Sequence, residues 1–294
     1  MNPEEKYRII KRLGNQQKRK FGDVFLVEDK ITGEQGTMKV VAKSGNELLE
    51  KRLKAEAGFE FEHPQLPKTA YTFETETELV VVRSYFPGVP LDGFLKTVKS
   101  KQKPAVLLHL LEQLKPVFEE LNRLRVVHLD IKPSNLILDG TPGNFTVYLI
   151  DFGMAMRTKD ADRRNTLFPL GYAAPELLLN RLHLVDQRTD LFALGIVLWQ
   201  SFTGKLPLLH PNPSITTNLQ LTHPLPDHDD IPKRYLAILK RLCAKHSFGV
   251  PPNQLPPETM DLHLKEAMEQ RYNNLYEVIA DWRKAMEKKG WFGF

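Results

Sequence analysis

The stretch HLDIKPSN, residues 128–135, sets a histidine, an aspartate, a lysine and an asparagine within eight positions, directly after a long helical pattern. An aspartate delivered into a loop by the end of a helix can orient an incoming hydroxyl and accept its proton, the work of a general base, and Asp130 has that placement. Asn135 follows five residues on, at a strand start, and its amide oxygen is a hard ligand suited to Mg²⁺. A second carboxylate, Asp151, ends the strand pattern TVYLI immediately before a Phe-Gly pair, and a hairpin around DGTPGN brings it towards Asn135. Lys132, two residues after Asp130, supplies positive charge to a phosphoryl group in flight, so the set fits phosphoryl transfer from a Mg-nucleotide. Taken singly, an Asp or Asn in such a loop is usually a turn-former or helix cap. The combination at this spacing is what points to chemistry.

These residues need elements to hold them. YRIIKRLG, GDVFLVED and TMKVVAK are short β-type runs separated by Gly, Asp and basic clusters, which predicts an antiparallel meander. GNELLEKRLKAEA then has helical spacing, with Leu48, Leu49, Leu53 and Ala57 on one side, and TFETETELVVVRSYF returns to strand character. FPGVP, residues 86–90, reads as a hinge, stiffened by Pro87 and Pro90 and turned by Gly88. Helices dominate beyond it. PAVLLHLLEQLKPVFEELNRLR is a long amphipathic helix in which Pro116 predicts a kink. TDLFALGIVLWQSFTG opens on a cap-like Thr-Asp pair, is apolar nearly all round and stops at Gly204, which predicts a core helix. FGVPPNQLPPE, residues 248–258, is proline-rich enough to be a loop.

Composition bounds the alternatives. The chain has 294 residues, 41% of them hydrophobic and 26% charged, as expected of a soluble globular protein. Its 41 basic and 36 acidic residues are mixed, without a dominant basic block, so nucleic-acid binding is not expected. The single cysteine, Cys243, cannot form an internal disulfide and sits in a helical pattern, so it reads as a buried thiol in a reducing compartment. The most apolar run, LFALGIVLW, is too short to span a bilayer, and the polar start MNPEEKYR is no signal peptide, so the expectation is a cytoplasmic protein without a membrane segment.

HLDIKPSN, DFG at 151–153 and APE at 174–176 occur in the order in which the protein-kinase family carries its catalytic loop, its metal-binding motif and the end of its activation segment. Over nearly its whole length the chain resembles that family, most closely the bacterial, eukaryotic-like Ser/Thr kinases. TDLFALGIVLW resembles the buried helix whose aspartate, Asp190, braces the catalytic loop, and Arg271 resembles the arginine that pairs with Glu176. Lys132 followed by Pro133 is similar to the Ser/Thr-directed form of the loop. The resemblance implies an α+β bilobal fold: a small β-rich lobe with one helix over 1–85, a hinge over 86–90, and a larger helical lobe over 91–294, with ATP in the cleft. It implies ATP and Mg²⁺ as cofactors and a protein substrate as partner. Leu13, Gly14, Gly22, Val24, Thr37 and Lys39 would contact the nucleotide, and Asn135 and Asp151 would hold the metal.

For the strand lysine that meets the phosphates there are two candidates, Lys39 and Lys43, which strand parity puts on the same face. The resemblance of TMK to the family pattern, with Thr37 two residues before the lysine, selects Lys39. Its carboxylate partner by the same resemblance is Glu56, with Glu50 as the fallback.

Several features depart from the family. LGNQQKRKFGDV keeps Gly14, Phe21, Gly22 and Val24 but lacks the middle glycine, and six residues separate Gly14 from Phe21. Lys18, Arg19 and Lys20 in that tip read as phosphate-neutralising or simply as a solvated basic hairpin. Leu129 stands where the family's phosphate-receiving arginine precedes the catalytic aspartate, so Thr158 and Thr166 would lack that partner if phosphorylated. Alignment on FPG puts Arg83 where a gatekeeper side chain lines the nucleotide pocket, and a slip of one residue would put Val82 there. The region 248–270 reads as a partner surface or as a loop followed by a solvated helix. The degenerate glycine loop favours, as the alternative function, a pseudokinase-like nucleotide-binding scaffold or regulator; survival of every catalytic polar residue opposes it.

Overall fold

The computed structural model of the chain describes residues 2–13, 22–45, 47–158, 168–248, 250 and 252–287. They form two compact units, Met1–Gly88 with Tyr148–Ala155 and Val89–Val147 with Met156–Phe294. The short DFG-bearing segment, which the sequence reading assigns to the second lobe, therefore packs with the first unit.

In the first unit a single turn, α1 (Pro3–Lys6), leads into β1 (Tyr7–Leu13), β2 (Asp23–Asp29) and β3 (Gln35–Ala42), followed by α2 (Glu47–Ala57), β4 (Thr69–Glu74) and β5 (Glu78–Ser84). The strands make one sheet in the order β1-β2-β3-β5-β4, antiparallel throughout, so the predicted meander is present. Its two faces follow from strand alternation. Tyr7, Val27, Met38, Val80 and Val82 form one apolar layer with Phe25, Val40, Tyr71 and Phe73. Val41, Leu53, Leu79 and Val81 form the other, on which α2 lies. The predicted apolar stripe of α2 is only partly used: Leu53 is buried and Leu49 and Ala57 pack at the margin, whereas Leu48 is about half exposed. A short helix on a flat sheet buries a narrow strip of its surface, and here Glu56 rather than Leu48 occupies the buried side.

In the second unit β6 (Val89–Pro90) and α3 (Leu91–Leu95) precede α4 (Lys103–Arg123), β7 (Val126–Val127), β8 (Leu136–Thr141), β9 (Asn144–Leu149) and β10 (Met156–Arg157). Then come α5 (Pro175–Leu178), α6 (Gln187–Thr203), α7 (Pro213–Thr222), α8 (Lys233–Leu242), α9 (Pro257–Gln270) and α10 (Leu275–Glu287). The α4 helix buries Leu107, Leu110, Leu111, Leu114, Val117, Phe118 and Leu121 at helical spacing and continues past Pro116 to Arg123. β8 and β9 are neighbours in the β6-β8-β9 sheet, as expected of the DGTPGN hairpin.

α6 is buried on nearly all sides, as its composition predicts. Its cap, however, is Asp186, whose carboxylate accepts the Arg188 N–H at 2.8 Å, and not the Thr189–Asp190 pair. The start one turn earlier matters, because it buries Asp190 inside the first turn. Gly195 lets α8 approach: a Cβ there would lie 2.7 Å from Cys243 Sγ and 2.8 Å from Leu242 Cβ. Cys243 is buried, and burial pushes its thiol up to about 12, so it is the inert thiol expected. In the proline-rich stretch, a single 3₁₀ turn, Pro252–Gln254, precedes α9. That helix buries Leu264, Ala267 and Met268, and Asp261 pairs with Arg181 at 2.8 Å and with His183 at 2.7 Å. Among the described residues no helix is long and apolar enough to cross a membrane.

Candidate active site

In the first unit the centre is Lys39. β3 register sets Lys39 opposite Val24 on β2 and opposite Val81 on β5, so these side chains share the face that carries α2. Its ammonium donates to Glu56 Oε1 at 2.9 Å, to Glu56 Oε2 at 2.7 Å and to Asp151 Oδ1 at 2.8 Å. All three donors are thereby used. Burial alone would lower the Lys39 pKa, but the Asp151 and Glu56 carboxylates outweigh it and hold the ammonium above its ordinary range. Lys43, on the same parity, instead reaches Glu74 at 2.6 Å, and Glu50 pairs with Lys54 at 2.9 Å. The two ambiguities of the sequence therefore separate geometrically: Lys39 and Glu56 face one another, Lys43 and Glu50 do not join them.

Asp151 has φ 68°, a left-handed conformation that aspartate tolerates better than most residues. It is followed by Phe152, which is fully buried and packs on Phe61 with ring centroids 4.5 Å apart and on Phe59 at 6.1 Å. That aromatic anchor fixes the residue next to the carboxylate. Gly22, at φ 75°, runs so close to β3 that a Cβ would lie 2.5 Å from the Val40 carbonyl oxygen, so both conformation and space demand glycine. Leu13 pairs with Val24, and Thr37 with Leu26 and Arg83. Gly14, Lys18, Arg19, Lys20 and Phe21 lie outside the described residues.

Strand parity also settles which residue stands beside this cluster. Arg83, not Val82, shares the face of Lys39; Val82 pairs with Met38 in the opposite layer. The side chain of Arg83 is buried, with Nη2 donating to the carbonyls of Phe59 at 3.1 Å and Pro67 at 2.6 Å, and Nη1 is 3.6 Å from Glu56 Oε1.

In the second unit the loop HLDIKPSN is closed by short-range bonds. Lys132 Nζ donates to Asp130 Oδ1 at 2.9 Å and Oδ2 at 2.7 Å. Asn135 Nδ2 donates to the Asp130 carbonyl at 2.8 Å and to Asp130 Oδ2 at 3.0 Å. Beneath them Asp190 accepts the backbone N–H of His128 at 2.7 Å and of Leu129 at 2.9 Å, which pins the loop to α6. Burial raises the pKa of Asp190 against the opposing effect of His128 and those two N–H donors. Leu129 is buried at φ 64°, an apolar side chain with no means of receiving a phosphate.

Farther along, Glu176 takes Arg271 Nη1 at 2.7 Å and Nη2 at 3.1 Å and the Thr189 hydroxyl at 2.9 Å, with both ionic side chains fully buried. The segment before α5 is also braced by Gln220 of α7, which accepts from Gly171 N–H at 2.9 Å and donates to the Ala173 carbonyl at 2.9 Å. Sequence reading missed this glutamine, and no local signal marks it, since its partners lie 47 and 49 residues away. Thr158 is bonded through its N–H to the Arg125 carbonyl at 2.9 Å; Thr166 lies outside the described residues.

The family model for the protein kinase domain matches residues 7–248. Among curated proteins, the ribosomal protein S6 kinase alpha-6 of Mus musculus is 27% identical over 281 residues, covering 92% of this chain and 34% of its own. The serine/threonine-protein kinase PrkC of Bacillus subtilis is 28% identical over 209 residues, 69% of this chain and 31% of its own. The serine/threonine-protein kinase AtPK1/AtPK6 of Arabidopsis thaliana is 31% identical over 196 residues, 64% of this chain and 40% of its own. The chain spans about a third of the length of the first curated relatives it matches.

Proposed function

The chain belongs to the protein kinase domain family, and from that premise we propose that it transfers the γ-phosphoryl group of ATP to a serine or threonine hydroxyl of a protein. The observation that carries the reading is the closed loop in which Lys132 and Asn135 both bond Asp130 while Asp190 pins the backbone. Such a loop holds one carboxylate in a fixed direction, which is what a base for an incoming hydroxyl needs. Lys132 carries the charge that offsets the transferring phosphoryl group, and Lys39, oriented by Glu56, carries the charge for the remaining phosphates. Of the described residues, Leu13, Gly22, Val24 and Thr37 are those that would line the nucleotide. Lys132 followed by Pro133 supports a Ser/Thr acceptor.

Mg²⁺ fits the donor set. Asn135 commits its amide nitrogen to Asp130, and its oxygen, which accepts a long 3.5 Å bond from the Ser134 hydroxyl, is the atom that would ligate. Among the described residues no group of three or more acidic, histidine or cysteine side chains could cage a metal. That suits an ion held by one or two protein oxygens and otherwise by phosphates and water. Asn135 and Asp151 are the residues that would hold it, and when bound it supplies neutralisation of phosphate charge. The test is incubation with γ-labelled ATP, Mg²⁺ and a basic protein acceptor, followed by phosphoamino-acid analysis. Label on serine or threonine supports the proposal; label on tyrosine alone, or none, opposes it.

A further inference from the structure

Arg83 is a costly residue in its place. Its side chain is about 5% exposed, and Nε and Nη1 find no hydrogen-bond acceptor. Its guanidinium lies 5.8 Å from the ring centroids of both Phe61 and Phe152, close enough for a cation–π contact. Replacing a whole buried ion pair by apolar volume is often neutral or stabilising, whereas removing one partner leaves the other buried and uncompensated. What the arginine does contribute is ionic and positional. Nη2 ties β5 to the Phe59 and Pro67 carbonyls, both in the segment that follows α2, and Nη1 stands 3.6 Å from the Glu56 carboxylate at the end of α2. Burial pulls the guanidinium below its ordinary range, with Glu56 opposing that effect, yet arginine stays charged.

Charge counting shows why a second cation matters. Lys39 is shared between Glu56 and Asp151, and Arg83 stands as a second cation beside Glu56. Lys39 spends every donor on those carboxylates, so engaging a phosphate takes at least one of them away from Glu56 or Asp151. Glu56, about 4% exposed, would then be a buried anion with a weakened partner. We infer that Arg83 is a positioning residue that keeps Glu56 and the end of α2 in place while Lys39 engages the nucleotide phosphates. This role deepens the phosphotransfer reading and rests on it for its kinetic consequence; the hold on α2 in the ligand-free protein does not.

The experiment is a double-mutant cycle of Arg83→Met and Glu56→Gln on the full chain, read two ways: hydrogen exchange of the α2 amides without nucleotide, and kcat/KM for MgATP. The expected result is that Arg83→Met speeds exchange across Glu47–Ala57 about ten-fold or more. It also lowers kcat/KM for MgATP about ten-fold or more, leaves the KM for the protein acceptor within about two-fold, and has a clearly smaller effect on either readout once Glu56→Gln is present, when only the ties to the Phe59 and Pro67 carbonyls are left to lose. Equal effects of Arg83→Met in both backgrounds, or no effect in the wild-type background, would overturn the inference. Arg83→Gln gives the same cycle if the methionine variant does not fold. If wild type transfers no phosphate, the phosphotransfer reading fails by itself, and the exchange arm decides the role of Arg83.

Discussion

The charged groups of the two units are held in contrasting ways. Asp130, Lys132 and Asn135 lie within six positions of one another and are bonded mainly to themselves, whereas Lys39, Glu56, Arg83 and Asp151 come from β3, α2, β5 and the segment after β9 and share each other's partners. A local, closed set fixes a carboxylate at little entropic cost, because the backbone that carries it is already tied down by Asp190. A distributed set instead depends on the sheet and α2 keeping their packing, and its lysine can exchange one partner for another. The difference suits the two proposed tasks: a base would have to point one way, while a phosphate-holding lysine would have to let go of something to take a ligand.

The comparison is broken most forcefully at its most locked point. Arg271→Met leaves Glu176 fully buried and uncompensated, which should destabilise the protein by about 3–5 kcal/mol in denaturant unfolding. A loss below about 1 kcal/mol would mean that the fully closed pairs are not what holds the second unit. The pair also sets an acid limit. Burial pushes the Glu176 carboxyl up, but the Arg271 guanidinium holds it below the ordinary glutamate range. A carboxyl with a lowered folded pKa binds fewer protons folded than unfolded, so its stabilisation is complete above about pH 4.3 and is lost as pH falls through the lowered value. In Arg271→Met burial acts on Glu176 without its cation, so the sign reverses: acidification protonates the buried carboxylate and recovers part of the variant's lost stability.

The distributed cluster is sharpened by two lysines of equal parity. Lys39→Met should lower kcat/KM for ATP about 100-fold, as expected for removal of a charge-stabilising group, while Lys43→Met, which loses only the surface pair with Glu74, stays within about two-fold. Similar losses for both would show that the three-way bonding of Lys39 carries no special role. The smallest effect is expected in the activation segment. Because Leu129 is buried and apolar, Thr158→Ala with Thr166→Ala should leave activity within about two-fold of wild type, measured as initial rate on a protein acceptor. A ten-fold loss would mean that phosphate on this segment has another receiver.

How much of this was legible followed the same division. The HLDIKPSN loop could be read because its polar side chains sit in eight consecutive residues, and the brace by Asp190 and the pair Glu176–Arg271 came with the family motifs. Lys39 could not be told from Lys43 by alternation alone, since only the fold reveals that one faces Glu56 and the other Glu74. Arg83 departs from the family pattern in the sequence, but its hydrogen-bond partners are carbonyls 16 and 24 residues away, which no spacing rule connects. Periodicity overstated the buried stripe of α2 by including Leu48, because it ranks hydrophobic residues without knowing how narrow the covered strip is. The cap of α6 was placed at Thr189–Asp190 for a related reason: Asp186 is an equally good capping type one turn earlier, and only the bond to Arg188 N–H distinguishes them.

The measurement that bears most directly on phosphotransfer compares wild type, Asp130→Asn and Asp151→Ala for transfer of labelled phosphate from MgATP, with nucleotide affinity measured alongside. Wild type should label a protein acceptor, Asp130→Asn should bind nucleotide within a few-fold of wild type yet transfer about a thousand-fold more slowly, and Asp151→Ala should lose transfer as well. Transfer by Asp130→Asn at the wild-type rate, or a wild type as silent as both variants, would contradict the account.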